Sequence, residues 1–232
     1  MSVRELLDCK LVVAERSWPF AVEHAEAIAR NWADARLRNP KMFNGDVFVL
    51  DHWSVVDDVL SGVSLPAKFA AYLYWRDAGN LGARYSEAFT TAVVVSRDGG
   101  LLLARSVAGT LNEGLFGAPG GLIDARDVGA GGRIDVAGAA ARELQEETGL
   151  RLSELEHRSG FLLAHIGAYL AIASVFKSAL SGDRLLARVH DHLKAQDEPE
   201  LEAPRVVYDR TELGQLALTP FSHLLARHVL GM

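Results

Sequence analysis

A single predicted helix restricts the fold and the chemistry of this 232-residue chain more than any other segment. Residues 136–148 are rich in alanine, leucine, glutamate and glutamine, which favour the helical conformation. Asp135 can cap the first turn, because an aspartate side chain accepts hydrogen bonds from the free N–H groups there. Gly149 can end the helix in a left-handed conformation, with Leu150 folding back onto it. We therefore expect a helix with well-defined ends.

This predicted helix carries three glutamates on one face. Glu143, Glu146 and Glu147 are three and four residues apart, so their side chains are neighbours. Each like-charged pair destabilises an exposed helix by about 0.2–0.5 kcal/mol, and Arg142 relieves only part of that repulsion. A divalent cation would relieve far more, and hard cations such as Mg²⁺ prefer oxygen ligands. Taken alone, the three glutamates favour a solvated helix face. Taken together with Arg142, Gly149 and the Pro-Gly-Gly turn that precedes the helix in the sequence, they favour a metal site.

A glycine-rich turn precedes this helix in the sequence. Pro119-Gly120-Gly121 has no bulky side chain at its end, so its backbone carbonyls can approach a metal closely. A metal held there could bind a diphosphate and activate water against it. The turn and the helix together predict hydrolytic chemistry.

These two segments resemble the signature of the Nudix hydrolases, Gly-x5-Glu-x7-Arg-Glu-U-x-Glu-Glu-x-Gly-U, in which U is an aliphatic residue. The nine residues 142–150 match its second half completely, and residues 119–121 match the approach to its first half. The resemblance implies an α/β (α+β) Nudix fold, with a mixed β-sheet in an α/β/α sandwich. It also implies Mg²⁺- or Mn²⁺-dependent hydrolysis of the diphosphate bond in a small nucleoside diphosphate derivative, such as a nucleotide sugar, ADP-ribose or a coenzyme A derivative.

The resemblance also assigns roles to individual residues. It implies that Glu143, Glu146 and Glu147 bind the metal directly or through water, and that the carbonyl oxygen of Gly120 is another ligand. Arg142 would orient the glutamates through an ion pair. Which glutamate acts as the base stays open, because family members differ.

The chain departs from the signature in its first half. Arg142 lies twenty-one positions after Gly121, where the family has fourteen, so seven extra residues precede the helix. Counted back from Arg142, the first glutamate of the pattern falls on Ile134. The sequence leaves open whether Asp124 or Asp135 replaces that carboxylate.

A later acidic segment offers an additional base or ligand of the kind that family members often use. Pro199 and Pro204 favour an extended stretch, in which alternate residues share a face. Glu198, Glu200 and Glu202 are the candidates, and we select Glu200 as the catalytic one. A solvated acidic loop is the alternative.

The resemblance covers residues 86–232, so we expect a Nudix domain there and an N-terminal α/β extension over 1–85. Within the extension, the hydrophobic pattern predicts a helix over 20–38 and strands over 47–56 and 59–65. Pro66 suits the first turn of a further helix that runs to Arg76. Residues 77–84 form the predicted linker.

Composition excludes several classes of protein. The formal net charge of −6 argues against a nucleic-acid partner, and the lone Cys9 rules out an intramolecular disulfide framework. The opening residues lack the apolar core of a signal peptide, and the longest apolar run, 166–176, is far shorter than the roughly 20 residues that span a bilayer. We therefore expect a cytoplasmic protein with no membrane partner. The resemblance adds the expectation that a homodimer could form.

A Nudix-fold protein that binds or senses a nucleotide without hydrolysing it is the main alternative. The altered first half of the signature motivates this hypothesis. The intact set of three glutamates argues against it, because a pure sensor has no need of metal ligands.

Overall fold

The computed structural model describes residues 3–82 and 84–231, which form a mixed β-sheet with helices on both faces. Its strands are β1 (Val3–Leu6), β2 (Asp8–Val13), β3 (Asp46–Val56), β4 (Val59–Lys68), β5 (Ser86–Val95), β6 (Leu101–Ser106), β7 (Phe116–Gly117), β8 (Gly120–Leu122), β9 (Leu155–His157), β10 (Phe161–Ile166), β11 (Tyr169–Ser178) and β12 (Leu201–Val207). Its helices are α1 (Pro19–Glu23), α2 (Ala25–Arg38), α3 (Phe69–Asp77), α4 (Val136–Thr148), α5 (Gly182–Ala195), α6 (Arg210–Leu213) and α7 (Pro220–Val229). Met1, Ser2, Ala83 and Met232 lie outside the described residues, and with them the ends of the two predicted units and part of the predicted linker 77–84.

The central sheet contains both parallel and antiparallel pairs. Its longest path runs β1-β10-β11-β5-β3-β4-β2, in which β11 is parallel to β5 and β2 is parallel to β4. A branch leaves β5 through β6, which pairs with β7 and β12, and β8 pairs directly with β5. Because β1 pairs with β10 and β3 pairs with β5, the N-terminal strands continue the same sheet.

Helices cover both faces of this sheet, which confirms the predicted α/β/α arrangement. Successive side chains of a strand point to opposite faces, and β5 shows this directly. Val94 packs with Leu144 of α4 and Leu185 of α5. Its neighbour Val93 packs with Leu225 of α7 on the other side.

The helix predicted over residues 20–38 is interrupted, because His24 separates α1 from α2. His24 has a φ of −115° and a ψ of 20°, outside the helical range. Its ring packs on Phe20, with ring centroids 4.3 Å apart, and Phe20 is buried. Aromatic packing at this point overrides the helical periodicity of the sequence.

The prediction that Pro66 begins a helix is wrong, because this residue lies within β4. Pro66 is opposite Phe48 of β3. The other neighbour of β4, β2, pairs with it only as far as Ser64, so the missing N–H of the proline breaks no bond to β2. The helix begins three residues later, at Phe69, and ends at Asp77.

Candidate functional site

Helix α4 has the ends that the sequence predicts. The side chain of Asp135 accepts a hydrogen bond from the backbone N–H of Gly138 at 2.9 Å. Gly149 ends the helix with a φ of +71°, in the left-handed region. Leu144 and Leu150 are buried in one core cluster, which fixes the rotation of the helix about its axis. The glutamate face is thereby turned away from that core.

The glycine turn lies directly against this glutamate face. The backbone N–H of Gly120 donates a 2.8 Å hydrogen bond to Oε2 of Glu147. A Cβ atom added to Gly121 would lie 2.7–2.8 Å from the carboxyl group of Glu143, so only glycine leaves room for that carboxylate. The turn itself is held by β5, where the hydroxyl of Thr91 donates to the carbonyl of Pro119 at 2.9 Å.

Arg142 links the glutamates to a second acidic residue. Its Nη1 atom donates to Glu143 at 2.7 Å and to Glu146 at 3.2 Å. Its Nε and Nη2 atoms donate to the two carboxylate oxygens of Asp127 at 3.1 and 3.0 Å. The Asp127 side chain is only 3% exposed, so water competes little for this pair. The guanidinium group is therefore fixed from one side and orients two glutamates on the other.

Sequence reasoning missed Asp127, and neither of the two aspartates it left open makes this contact. Asp124 pairs with Arg126 at 2.7 Å and lies 4.0 Å from Arg142, and Asp135 caps α4. A signal was present: counted forward from Gly121, the first glutamate position of the signature is residue 127. The extra residues lie between that position and Arg142. A count of eight positions back from Arg142 therefore ends within them or at their edge, at Ile134, and misses Asp127.

The extra residues form a small hairpin that packs on the N-terminal strands. Val128 and Ile134 form an antiparallel bridge, and the N–H of Gly129 donates to the carbonyl of Arg133 at 2.8 Å. The N–H of Ile134 then donates to the carbonyl of Leu11 in β2 at 2.9 Å. The insertion thus lengthens the sequence between Asp127 and Arg142, while their side chains remain in contact.

Burial and mutual repulsion raise the pKa values of two of the glutamates. Burial raises the pKa of Glu143, against the opposing effect of Arg142, and the charges of Glu146 and Glu200 raise it further. Burial also holds the pKa of Glu147 well above its usual value, against the hydrogen bond from Gly120, and the neighbouring glutamates add to the rise. These carboxylates are short of positive charge.

Among the three later glutamates, only Glu200 faces this cluster. Glu198 pairs with Lys41, and Glu202 pairs with Arg105 at 2.9 Å. Glu200 lines the same cavity as Glu143 and Glu147. Its charge contributes to the raised pKa values of both.

The cluster opens into a cavity of about 580 Å³. One end is lined by the α4 glutamates and the glycine turn. The rest of the wall includes the following residues from other parts of the chain: Tyr72 and Arg76 of α3, Glu87 and Phe89 of β5, Tyr169 of β11 and Phe221 of α7. Sequence reasoning named none of these residues as functional. The cavity has room for a ligand much larger than a diphosphate group.

The donor set suits a hard divalent cation, although the side chains do not converge on one point. In residues 3–82 and 84–231, no group of three or more His, Cys, Asp or Glu side chains forms a ready metal site. The reason lies in their present partners: Arg142 holds Glu143 and Glu146, and Gly120 holds Glu147. Carboxylate oxygens are nevertheless the ligands that such cations prefer, and these carboxylates lack compensating charge. The residues therefore fit a metal by their chemistry, and ligation requires the carboxylates to turn.

Within the described part of the chain, no helix combines the length and apolar character needed to cross a membrane.

A family model described as NUDIX domain matches residues 87–227 of this chain. Among solved structures, the Nudix hydrolase RenU from M. smegmatis is similar, with 18% identity, a TM-score of 0.41, and coverage of 63% of this chain and 85% of that one. The MutT protein from Methanosarcina mazei Go1 has 20% identity, a TM-score of 0.41, and coverage of 61% and 91%. A NUDIX hydrolase from Nitrosomonas europaea has 17% identity, a TM-score of 0.41, and coverage of 63% and 90%. No curated protein matches the sequence.

Proposed function

This chain belongs to the Nudix family, and from that premise we propose that it hydrolyses the diphosphate bond of a small nucleoside diphosphate derivative with the help of Mg²⁺ or Mn²⁺. The products would be a nucleoside monophosphate and the phosphorylated second group. Nucleotide sugars, ADP-ribose and coenzyme A derivatives are the substrate classes under consideration.

The observation that carries this proposal is the group of under-compensated carboxylates at one end of a large cavity. Glu143 is only 15% exposed, and its pKa is raised by burial and by the charges of Glu146 and Glu200. Keeping such groups together without function would only destabilise the fold. A site that binds a cation and then a diphosphate accounts for their presence.

We assign the cation to Glu143, Glu146, Glu147 and the carbonyl of Gly120. When bound, the cation would neutralise the diphosphate and lower the pKa of a water molecule. Arg142 would keep Glu143 and Glu146 oriented towards the site.

Glu200 is our candidate to take the proton of the attacking water, or to act as a further ligand. Water would form the new P–O bond at one phosphorus, and the bond between that phosphorus and the bridging oxygen would break. The second phosphate leaves with the bridging oxygen, and the proton passes to a carboxylate.

The test is hydrolysis of a substrate panel under Mg²⁺ and under Mn²⁺, with products resolved by chromatography. The panel contains ADP-ribose, UDP-glucose, NADH, coenzyme A, diadenosine polyphosphates and nucleoside triphosphates. We expect turnover of at least one compound, lost by about 10²-fold or more in Glu147→Gln. Glu156→Gln is the matched control, because Glu156 is exposed on β9 and does not line the cavity. No turnover by the wild-type protein, or full turnover by Glu147→Gln, would overturn the proposal.

A nucleotide-binding protein without hydrolytic activity is a second candidate. The observation in its favour is that Arg142 and Gly120 already engage the glutamates, so that no group in the described residues is preformed for a metal. Tight binding of a panel compound without turnover under saturating Mg²⁺ would favour this candidate.

The remaining parts of our proposal concern organisation. We propose a Nudix domain over 86–232 that carries an N-terminal extension over 1–85, in a cytoplasmic protein that can form a homodimer and has no nucleic-acid partner. Sedimentation of the purified full chain tests the dimer. A separate hydrolysis assay with capped and triphosphorylated RNA tests whether the protein acts on nucleic acid.

A further inference from the structure

A second polar cluster lies in the same cavity, away from the acidic helix face. Tyr72 of α3 is buried, and its hydroxyl donates a 2.5 Å hydrogen bond to Oε2 of Glu87 in β5. Arg76, one turn later on α3, lines the same part of the cavity. A carboxylate and a guanidinium group therefore face one space at the junction of α3 and the sheet.

The packing of this cluster leaves one acceptor and several donors unused. Oε1 of Glu87 has no hydrogen-bond partner among the described residues. This oxygen is not fully buried, so a ligand in the cavity can reach it. The guanidinium of Arg76 forms no ion pair within 4.0 Å in the described part of the chain. Its one hydrogen bond, to the carbonyl of Leu111, is long at 3.4 Å. A purely structural hydrogen bond between Tyr72 and Oε2 of Glu87 would leave both the free Oε1 and the guanidinium of Arg76 without a purpose.

The strand register gives the distance between this cluster and the glycine turn. Thr91 of β5 is opposite Gly120, and Glu87 lies four residues earlier on the same face of the strand. At about 3.3 Å per residue, the two positions are about 13 Å apart. A diphosphate bound at the glycine turn is too short to reach Glu87. A ring that is esterified to the diphosphate can reach it.

The charges of the cluster restrict the chemistry of that ring. An ionised phosphate or carboxylate could pair with Arg76, but it has no hydrogen to donate to Oε1 of Glu87, so it would satisfy only half of the cluster. The free oxygen of Glu87 needs a donor, and Arg76 needs an acceptor close beside it. Neighbouring hydroxyl groups on a sugar supply both at once, because each hydroxyl donates and accepts.

We propose that Glu87 and Arg76 form a subsite that binds the vicinal diol of a sugar ring attached to the scissile diphosphate, with Tyr72 as the residue that positions Glu87. This inference rests on the proposed diphosphate hydrolysis and narrows its substrate to a compound with such a ring. The diol could belong to the group beyond the diphosphate or to the ribose of the nucleoside itself.

The experiment compares three probes that separate these two sources. ADP-ribose has a diol on both sides of the diphosphate. Its 2′-deoxyadenosine analogue lacks the diol of the nucleoside, and dephospho-coenzyme A lacks a sugar beyond the diphosphate. Each is measured for kcat and KM under Mg²⁺, and for Kd by calorimetry without added metal. The variants are Glu87→Gln and Arg76→Gln, with Glu156→Gln and Arg184→Gln as exposed controls.

We expect both cavity variants to raise KM and Kd for ADP-ribose by about tenfold or more, since each removes a hydrogen bond to a charged group. If the variants then have the same KM and Kd for dephospho-coenzyme A as the wild-type protein, the bound diol belongs to the sugar beyond the diphosphate. If instead they have the same KM and Kd as the wild-type protein for the 2′-deoxyadenosine analogue, the bound diol belongs to the ribose of the nucleoside. Unchanged KM and Kd for all three probes in both variants, with folding confirmed by thermal unfolding, would overturn the subsite.

The two proposals fail in different ways. If no probe is hydrolysed but Kd still depends on the diol and on Glu87, the hydrolytic function is wrong and the subsite stands. If hydrolysis proceeds and depends on Glu147 but not on Glu87 or Arg76, the function stands and the subsite is wrong.

Discussion

Asp127 accepts hydrogen bonds from Arg142 through both of its carboxylate oxygens, at 3.1 and 3.0 Å, across fifteen residues of sequence. The same guanidinium donates to Glu143 and Glu146 through its remaining nitrogen. The acidic face of α4 is therefore oriented by a residue outside the helix. The hairpin that follows Asp127 lengthens the chain between the partners without separating them.

Replacing Asp127 should weaken both stability and activity. In Asp127→Asn, the side chain opposite Arg142 keeps its size and shape but loses the negative charge that holds the guanidinium group. We expect the free energy of unfolding to fall by about 1.5–3 kcal/mol, the range for a hydrogen bond to a charged group. Hydrolysis should fall as well, because Glu143 and Glu146 lose a fixed Arg142. Chemical denaturation and the substrate panel measure the two effects.

Asp135→Asn is the matched control for that experiment. Asparagine caps a helix about as well as aspartate, so its stability should change by less than about 0.5 kcal/mol. A larger loss in Asp135→Asn than in Asp127→Asn would show that Asp135 holds the role we give to Asp127.

Local signals account for what could be predicted from sequence. Helix α4 has its cap, its glutamate spacing and its terminal glycine within fifteen consecutive residues, and all three agree with the structure. The tight turn between the predicted strands 47–56 and 59–65 is equally local: the two residues left between them, Asp57 and Asp58, both have a positive φ, as such a turn requires. Each of these elements is specified by neighbours in the chain.

Apart from the helix break at His24, the features that sequence reasoning missed depend on distant contacts. Asp127 is at the first glutamate position counted forward from Gly121, but the inserted hairpin separates it from Arg142 in the sequence, and only the structure shows that the two residues pair. Glu87 and Tyr72 are fifteen residues apart, on different elements, and no periodicity links them. Pro66 follows the rule for a helix start, yet the early end of β2 lets it lie in a strand. Pairing in space, rather than propensity, decides these positions.

Removing the charge of Glu147 should separate stability from function. Burial and neighbouring carboxylates raise the pKa of Glu147 well above its usual value, so the charged form is disfavoured in the folded protein. In the absence of metal, Glu147→Gln should therefore raise the midpoint of thermal unfolding by about 2–4 °C, the shift that about 1 kcal/mol produces at this size. Its activity should be lost. A lower midpoint would mean that this carboxylate stabilises the fold.

Two adjacent glycines should respond differently to alanine. A Cβ on Gly120 would lie 2.3 Å from the backbone carbonyl of Thr90, which cannot move without breaking the pairing of β8 with β5. The three atoms nearest to a Cβ on Gly121 all belong to the carboxyl group of Glu143, which can rotate away. We expect Gly120→Ala to lose stability and Gly121→Ala to keep its unfolding midpoint but lose about tenfold or more in activity. Equal effects on both midpoints would contradict this account.

The stability of the protein should carry a pH dependence that comes from Glu87. Burial raises the pKa of Glu87 from 4.5 to about 7, against the hydrogen bond from Tyr72 and the charge of Arg76. Between these two pKa values the folded state holds a proton that the unfolded state has lost. This contribution to stability is therefore complete below pH 4.5 and is lost as the pH rises to 7.

Glu87→Gln tests that sign, because glutamine cannot ionise. From pH 5 to pH 8, the variant should gain stability relative to the wild-type protein by up to about 3 kcal/mol. Thermal unfolding of both proteins over this range measures the difference. A difference that stays constant with pH would show that Glu87 is ionised throughout.

The three glutamates before and within β12 provide an internal comparison for the acidic segment. Only Glu200 lines the cavity beside Glu143, whereas Glu198 and Glu202 are engaged by Lys41 and Arg105. If Glu200 takes the proton of the attacking water, Glu200→Gln should lower kcat by about 10²-fold, with little change in KM. Glu198→Gln and Glu202→Gln remove exposed ion pairs, which contribute about 1 kcal/mol or less, and should leave kcat within about twofold. Equal kcat values for all three variants would exclude Glu200 as the base and leave that role to the glutamates of α4.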